Sequence, residues 1–506
     1  MAHHLYEAGP AGDDARTVHF LELASEQGIR TGALQTGLDH LTRALTLAPG
    51  DDAVTRARLF WKHGLARRNV GRLMEAIDDW ETALSLADPA LDPELVARIC
   101  QDLAHGYAWT GRGMLGVAAA RKGLDALGPD HEVHRCRLTG TMGWNFALAC
   151  DFESAEPILQ EALGMAEQLG DAALVGEVLL LKSWHFHLCM RRREQADACR
   201  RAAELLRRTQ DPGRLGEALV NFQMASIQIG RPGDIAATEV EARTLAERLG
   251  RFDIRVHQLY SETLRDWLLE GDIKALEAGF QQVEEVSGAW RWVAEGSLAQ
   301  MHLWQGDLEK ATAVAQSALS HEPPGTTHTG FGWSMAFLCA SLVGDRDAAL
   351  AVLDVHRHEL PEPGRLNTIG SWSALLRVVE GLAVLRESEQ AAALHPSVIE
   401  AMATESLVAF DGSRLLETVA GMAAAAGEDW SAAEGHFRSA IAQADEIPFR
   451  SEQAEARYEL ASMLLDRGRA ADRPEARSLL EAAVSRYVEL GAPWHLERAR
   501  AQLNRA

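Results

Sequence analysis

The stretch that decides the fold is GRLMEAIDDWETALSLA, residues 71–87. Gly71 opens it. Five residues on stands a small residue, Ala76; four later a bulky one, Trp80; three after that a second alanine, Ala83. In an α-helix this 4-then-3 spacing puts the three on one face, where small residues let a neighbouring helix approach closely. A glycine in front suits the left-handed end of a preceding helix. Upstream, Arg56–Asn69 is amphipathic, so the region reads as helix, tight turn, helix.

The phrase recurs as Gly37–Leu41–Ala44, Ala155–Leu159–Ala162 and Ala433–Phe437–Ala440, with weaker copies starting at Gly116, Ala196, Ile235, Leu276, Ala311, Ala349 and Ala476. From 37 to 276 the first residues are 39, 40, 39, 41, 39 and 41 apart. Turn glycines stand at the same offset at 111, 230, 271, 306 and 344, and the acidic residue of GDI, GDL and GDR is placed to cap the next helix. No hairpin dipeptide between alternating runs is read from the sequence. The Pro-, Gly- or Asp-rich segments Ala87–Pro93, Glu322–Thr329 and Leu360–Gly364 fall between units. The expected fold is all-α: a right-handed superhelical solenoid of about twelve helix-turn-helix units of roughly 40 residues. Regular repeats are expected over 1–363, a degenerate one over 364–410, and further repeats with a capping helix over 411–506.

The 506 residues carry 73 acids against 50 bases, a net charge of −23. That balance excludes sequence-independent binding to nucleic acid or to an anionic membrane, both of which need a basic surface. The six cysteines, at 100, 136, 150, 189, 199 and 339, form no C-x-x-C pair, which points away from a disulfide framework and towards a reducing cytosol. MAHHLYEAGP lacks the charged-then-apolar order of a secretory signal, and no apolar run reaches the length of a membrane span. A cytoplasmic protein is expected.

Small–bulky–Ala after a turn glycine, with proline near the unit's end (Pro49, Pro129), resembles the tetratricopeptide repeat, most clearly at Leu59–Ala87, Met142–Glu167 and Ala423–Ala444. Trp184 and Gln223 depart from it, standing where a small residue is expected. AHHLYEAGP (2–10), GEDWSAAEGHFRSAIAQAD (427–445) and LLDRGRAADRPEARSLLEAAVSRYVELG (464–491) resemble the repeat-rich C-terminal sensor regions of bacterial STAND signalling ATPases, among them MalT-like LuxR-type regulators and class III adenylate cyclases. In that family an ATPase module precedes such repeats. Here no G-x-x-x-x-G-K-[ST] occurs, and none of the five lysines follows a glycine.

Four patterns touch on chemistry. GRGMLG (111–116) matches G-x-G-x-x-G, but a helix precedes it, and a dinucleotide turn needs a strand there, so its glycines read as turn and packing positions. WHFHLC (184–189) puts His185 and Cys189 on one face; two ligands are too few for zinc, so these read as a buried thiol with packed histidines. Arg193, Arg200, Arg201, Arg207 and Arg208 form a basic stripe against the acidic whole. It reads either as a docking surface for an acidic partner or as a solvated outer face. Finally, the first helices of the units should line a concave groove. Arg58, Arg98 and Arg137 stand at one register there, 40 and 39 apart, with Gln101, His105, Trp109 and Trp144 on the same wall. The two readings are an anion clamp with aromatic walls, and salt bridges to nearby acids such as Asp102.

No catalytic constellation, metal set or cofactor motif emerges. The expectation is a non-catalytic interaction scaffold, the sensor region of a bacterial signalling or transcription regulator, binding a protein segment or small effector on its concave face. The alternative is a part of an ATP-dependent LuxR-type regulator or adenylate cyclase whose catalytic module lies outside this chain.

Overall fold

The computed structural model describes residues 2–7, 13–209, 211–287 and 291–506; Ala8–Pro10 of the N-terminal stretch quoted above lie outside them. Among the described residues the chain is all-α. The helices follow, among those residues, as consecutive pairs in chain order, from Asp14–Arg30 with Leu34–Leu47 to Arg450–Arg467 with Arg473–Leu490, and a last helix, Pro493–Leu503, packs on the end. This is the expected helical-repeat solenoid. The chain forms two compact units: one of Met1–His185, Ala198–Leu219 and Glu241–Arg255, the other of Phe186–Asp197, Val220–Val240 and Val256–Ala506. Among the described residues, no helix is long and apolar enough to cross a membrane.

The repeat phrase builds these pairs as its chemistry requires. Ala76, Trp80 and Ala83 are fully buried, as are Ala155, Leu159 and Ala162, and Ala433 and Ala440 beside Phe437. Trp80 lies across Gly64 of the preceding helix, where an added Cβ would come within 2.4 Å of the indole nitrogen. The turn glycines 71, 111, 230, 271, 306 and 344 all have φ between 70° and 85°, the left-handed region that glycine enters without steric cost. At the equivalent position the units lacking glycine force Cys150, Arg386 and Glu428 to φ of 63°, 60° and 58°. Asp307 and Asp345 cap the next helix by accepting from the N–H three residues on.

The G-x-G-x-x-G match is consumed by packing. Helix Pro93–Trp109 precedes it, Gly111 makes the turn, and Gly113 and Gly116 let helix Glu132–Leu148 come close: a Cβ at 116 would lie 1.8 Å from Asn145 Oδ1.

The repeat around 391 departs from the others. Its second helix is split into Ser388–Ala393 and His395–Met402, with Pro396 opening the latter. The chain then makes a short antiparallel hairpin, with Val408 bridging Leu415 and Asp411-Gly412 at its turn. The dipeptide is a hairpin signal that the sequence reading passed over, because the flanking runs are too short to alternate. Within the second unit this hairpin is deeply held. The Leu407 and Val408 N–H groups donate to Gln228 O at 2.8 and 3.1 Å; Phe410 packs on Tyr260 and Phe331; Asp411 pairs with buried Arg377.

Candidate functional site

The site lies within the first unit, where helices Pro93–Trp109 and Glu132–Leu148 bring four of the predicted residues together. Gln101, His105, Trp109 and Trp144 line one cavity of about 240 Å³. Position 105 follows 101 by one turn, and 109 follows 105, so the three form a ladder along one helix face. Trp144 meets it from the next repeat. Its ring lies 5.3 Å from His105 and 5.9 Å from Trp109. A third tryptophan, Trp184, meets Trp109 edge-on at 5.6 Å. Edge contacts of this kind lock aromatic walls in place.

His105 is the polar group of this wall. Its Nδ1 lies 2.9 Å from the Gln101 carbonyl oxygen, which can only accept, so the proton sits on Nδ1 and Nε2 is a bare acceptor. Burial pushes the imidazole below its ordinary pKa, and the nearby Arg214 adds to this, so the ring stays neutral at physiological pH.

Charge lines the rest of the cavity in matched pairs. Arg68 reaches Asp102 at 3.4 Å, Arg214 reaches Asp211 at 3.0 Å, and Arg251 is paired with Glu217. Asp102 also accepts from Trp61 Nε1 at 2.7 Å. Beside the cavity, buried Glu177 is gripped by Arg137 Nε at 3.0 Å, Arg214 Nη2 at 2.8 Å and Gln101 Nε2 at 3.4 Å.

The three register arginines do not line this cavity. Arg58 is 3.1 Å from Glu22, which Lys62 also reaches at 3.2 Å. Arg98 is 3.5 Å from Glu94 on its own helix and lies over the Trp61 ring. Arg137 is on Glu177. The guanidiniums are therefore answered by the chain's own glutamates, and Asp102 serves Arg68 rather than any of them. Sequence reasoning did not single out Arg68, Arg214 and Arg251, which do line the cavity. Trp184 carried its own signal, a bulky residue at a position the repeat reserves for a small one.

The basic stripe is likewise answered in part. Its helix ends at Leu206, so Arg207 and Arg208 fall in the following turn. Arg201 reaches Glu167 at 2.9 Å, and Arg207 grips Glu241 with Nε at 3.1 Å and Nη2 at 2.8 Å. Arg200 and Arg208 are exposed. In the second unit Arg193 meets Glu405 at 2.9 Å and lines a separate cavity of about 330 Å³ with Arg365 and Trp372.

His185 packs on Phe152 with Nε2 4.0 Å from Glu156, while His187 lies in the second unit against Arg192. Among the described residues, no group of three or more His, Cys, Asp or Glu is placed to hold a metal. All six cysteines are free thiols, and burial pushes Cys100 and Cys150 up to about 11 and Cys136, Cys199 and Cys339 up to about 12.

No protein-family model matches the sequence, and no curated protein does. Among solved structures, a Rap protein complexed with Competence and Sporulation Factor is 14% identical over 60% of this chain and 85% of its own, with a TM-score of 0.48. The Cut9–Hcn1 hetero-tetramer of APC/C is 12% identical over 95% and 96%, with a TM-score of 0.46. Aspartyl phosphate phosphatase F from Bacillus subtilis is 13% identical over 57% and 76%, with a TM-score of 0.42.

Proposed function

We propose that the chain is a non-catalytic interaction scaffold whose first unit captures one aromatic side chain of a protein or peptide partner. The observation that carries this reading is the cavity of Trp109, Trp144 and Trp184 around neutral His105. At about 240 Å³ it falls below the range typical of cofactor-sized ligands and suits a single anchoring side chain. Every arginine lining it is already paired, so a charged ligand would have to break an ion pair on entry. An uncharged ring bearing an N–H or O–H need not, and it finds an acceptor in His105 Nε2. The matched charges of the lining then offer both signs to the flanking backbone and side chains.

The test is selection from a displayed peptide library on the purified full chain. Enriched peptides should share one tryptophan or tyrosine. They should bind at least tenfold more weakly to Trp109→Ala and to His105→Leu, both checked for unchanged helicity. Peptides without an aromatic residue, or binding indifferent to both substitutions, refute the reading.

The narrower role we infer is that of a sensor or regulatory region in a bacterial signalling regulator. It rests on the phrasing of residues 427–445 and 464–491, which fold as repeat helices. The alternative, one part of an ATP-dependent regulator or adenylate cyclase, predicts that a separate ATPase module co-purifies with the chain or is encoded with it.

A further inference from the structure

We propose that the second unit holds a small dehydrated anion, of the chloride class, on the Nε–Nη2 edge of Arg192. Arg192 is the first residue of helix Arg192–Leu206 and has no exposed surface. Its Nη1 donates to two uncharged acceptors, His187 Nδ1 at 2.7 Å and Gln195 Oε1 at 2.8 Å. Its Nε and Nη2 are sealed from solvent and have no hydrogen-bond partner. Among the described residues no carboxylate forms an ion pair with it.

Elsewhere this chain uses the same pair of nitrogens to grip an acid. Arg58 holds Glu22 this way, Arg207 holds Glu241 and Arg414 holds Glu380. That edge is the guanidinium's bidentate anion-binding face. At Arg192 it is built and buried, with no acid of the chain on it. The hairpin that packs against Arg192 carries an acid, Asp411, but Arg377 takes it. What the hairpin offers instead is the Phe410 ring, 6.0 Å from the guanidinium carbon, and a ring face compensates a full charge only partly.

The imidazoles around it supply no negative charge, and among the described residues the Cys189 thiol is the one titratable neighbour whose ionised form would favour the guanidinium. Burial and Arg192 hold His187 well below the ordinary imidazole range, and His328 is pushed down to about 4 by the same causes together with His257. Burial lowers Arg192 itself only to about 9, so it is charged at neutral pH. A buried charge with no counter-charge is strongly disfavoured, which makes an anion from solution the missing partner. The edge is sealed from solvent, so of the anions a guanidinium can hold, a single-atom one has to displace least to reach it.

The experiment uses the full chain purified in sodium gluconate. Chloride or bromide then replaces gluconate at constant ionic strength while thermal unfolding is followed. A saturable rise of about 2–5 °C is expected, as for a ligand held only by the folded state. Crystals grown in bromide should give an anomalous peak beside Arg192 Nε and Nη2. Arg192→Met, which keeps bulk and removes the charge, should melt cooperatively and no longer respond to halide. Identical melting of the wild type in gluconate and chloride, without a bromide peak, overturns the proposal whether or not the variant folds. A halide response surviving in Arg192→Met also overturns it. A rise with acetate and none with halide overturns the chloride class and gives the edge to a small carboxylate.

Discussion

Replacing Gly116 by alanine tests whether the G-x-G-x-x-G glycines serve packing, because two effects of opposite sign compete there. At an exposed helix position the change would stabilise by about 1 kcal/mol through helix propensity. At 116 the new Cβ would sit 1.8 Å from Asn145 Oδ1, 2.4 Å from its Cγ and 3.0 Å from the Ala104 carbonyl oxygen. Asn145 is fully buried and cannot swing into solvent; its Nδ2 donates to Thr141 O at 2.9 Å. Overpacking of this kind costs about 1–3 kcal/mol. Losing the amide's bond adds about 0.5–1.5 kcal/mol. Set against the propensity gain, Gly116→Ala should destabilise by about 1–3 kcal/mol. Asn145→Ala should cost about 1 kcal/mol or less, since it trades packing for the removal of an acceptor, Oδ1, that has no partner. In the double variant the methyl fits the space the amide leaves, so its stability should match or exceed that of Asn145→Ala. The coupling energy should then be about 2 kcal/mol. Because a chain of two units need not unfold in one step, the assay is native-state hydrogen exchange on helices Gly113–Ala126 and Glu132–Leu148, supported by urea unfolding. A Gly116→Ala protein as stable as wild type or more so, or additive behaviour in the double variant, refutes the reasoning.

Two further outcomes follow from the same geometry. Glu428 and Arg386 are exposed residues held left-handed where other units have glycine, so Glu428→Gly and Arg386→Gly should each stabilise by about 0.5–1 kcal/mol, read as a raised melting temperature; a loss at both would show that something other than the turn fixes their backbone. Glu452 is fully buried, with Arg414 at 3.4 Å, and burial outweighs that arginine to raise its carboxyl to about 7. Its folded pKa thus lies above the unfolded value near 4.5, so its contribution is complete below pH 4.5 and is lost as pH rises to about 7. Stability should fall across that window by on the order of 2–3 kcal/mol through Glu452, measured by denaturant midpoints at pH 5 and 8. Glu452→Gln should reduce the fall, leaving the share of Glu459, which burial also raises to about 7.

The fold was legible because each repeat states it twice, once in the small–bulky–small face and once in the left-handed turn. Even the units without glycine keep the turn at Cys150, Arg386 and Glu428, so the offset held where the residue did not. The cavity was half legible. The ladder of Gln101, His105 and Trp109 follows from helix periodicity, and Trp144 from the repeat length. Arg214 and Arg251 come from repeats further along the chain, and which residues of distant repeats meet depends on the curvature accumulated between them, which no local pattern encodes. Register placed Arg58, Arg98 and Arg137 correctly along the chain. It could not reveal that Glu22, Glu94 and Glu177 would answer them, since two of those partners lie 36 and 40 residues away.

The departures from the repeat carried more than its regularity did. Trp184 breaks the small-residue rule and becomes a wall of the cavity. Met190 takes a left-handed turn without glycine, with φ of 62°, two residues before the buried Arg192. The split helix after Ser388 frees the chain to make the 408–415 hairpin, whose Asp411 and Arg414 then need buried partners, and they find them in Arg377 and in Glu380, Glu452 and Glu455. A repeat residue is fixed by the need to stack on its neighbour, so its identity says little about ligands. A residue that breaks the rule gives up some of that stacking, and it persists only where another interaction offsets the loss. Trp184 is such a residue, and the chain itself supplies part of its offset, the edge contact with Trp109. At Arg192 it is the burial of the guanidinium, not its identity, that calls for a partner from solution.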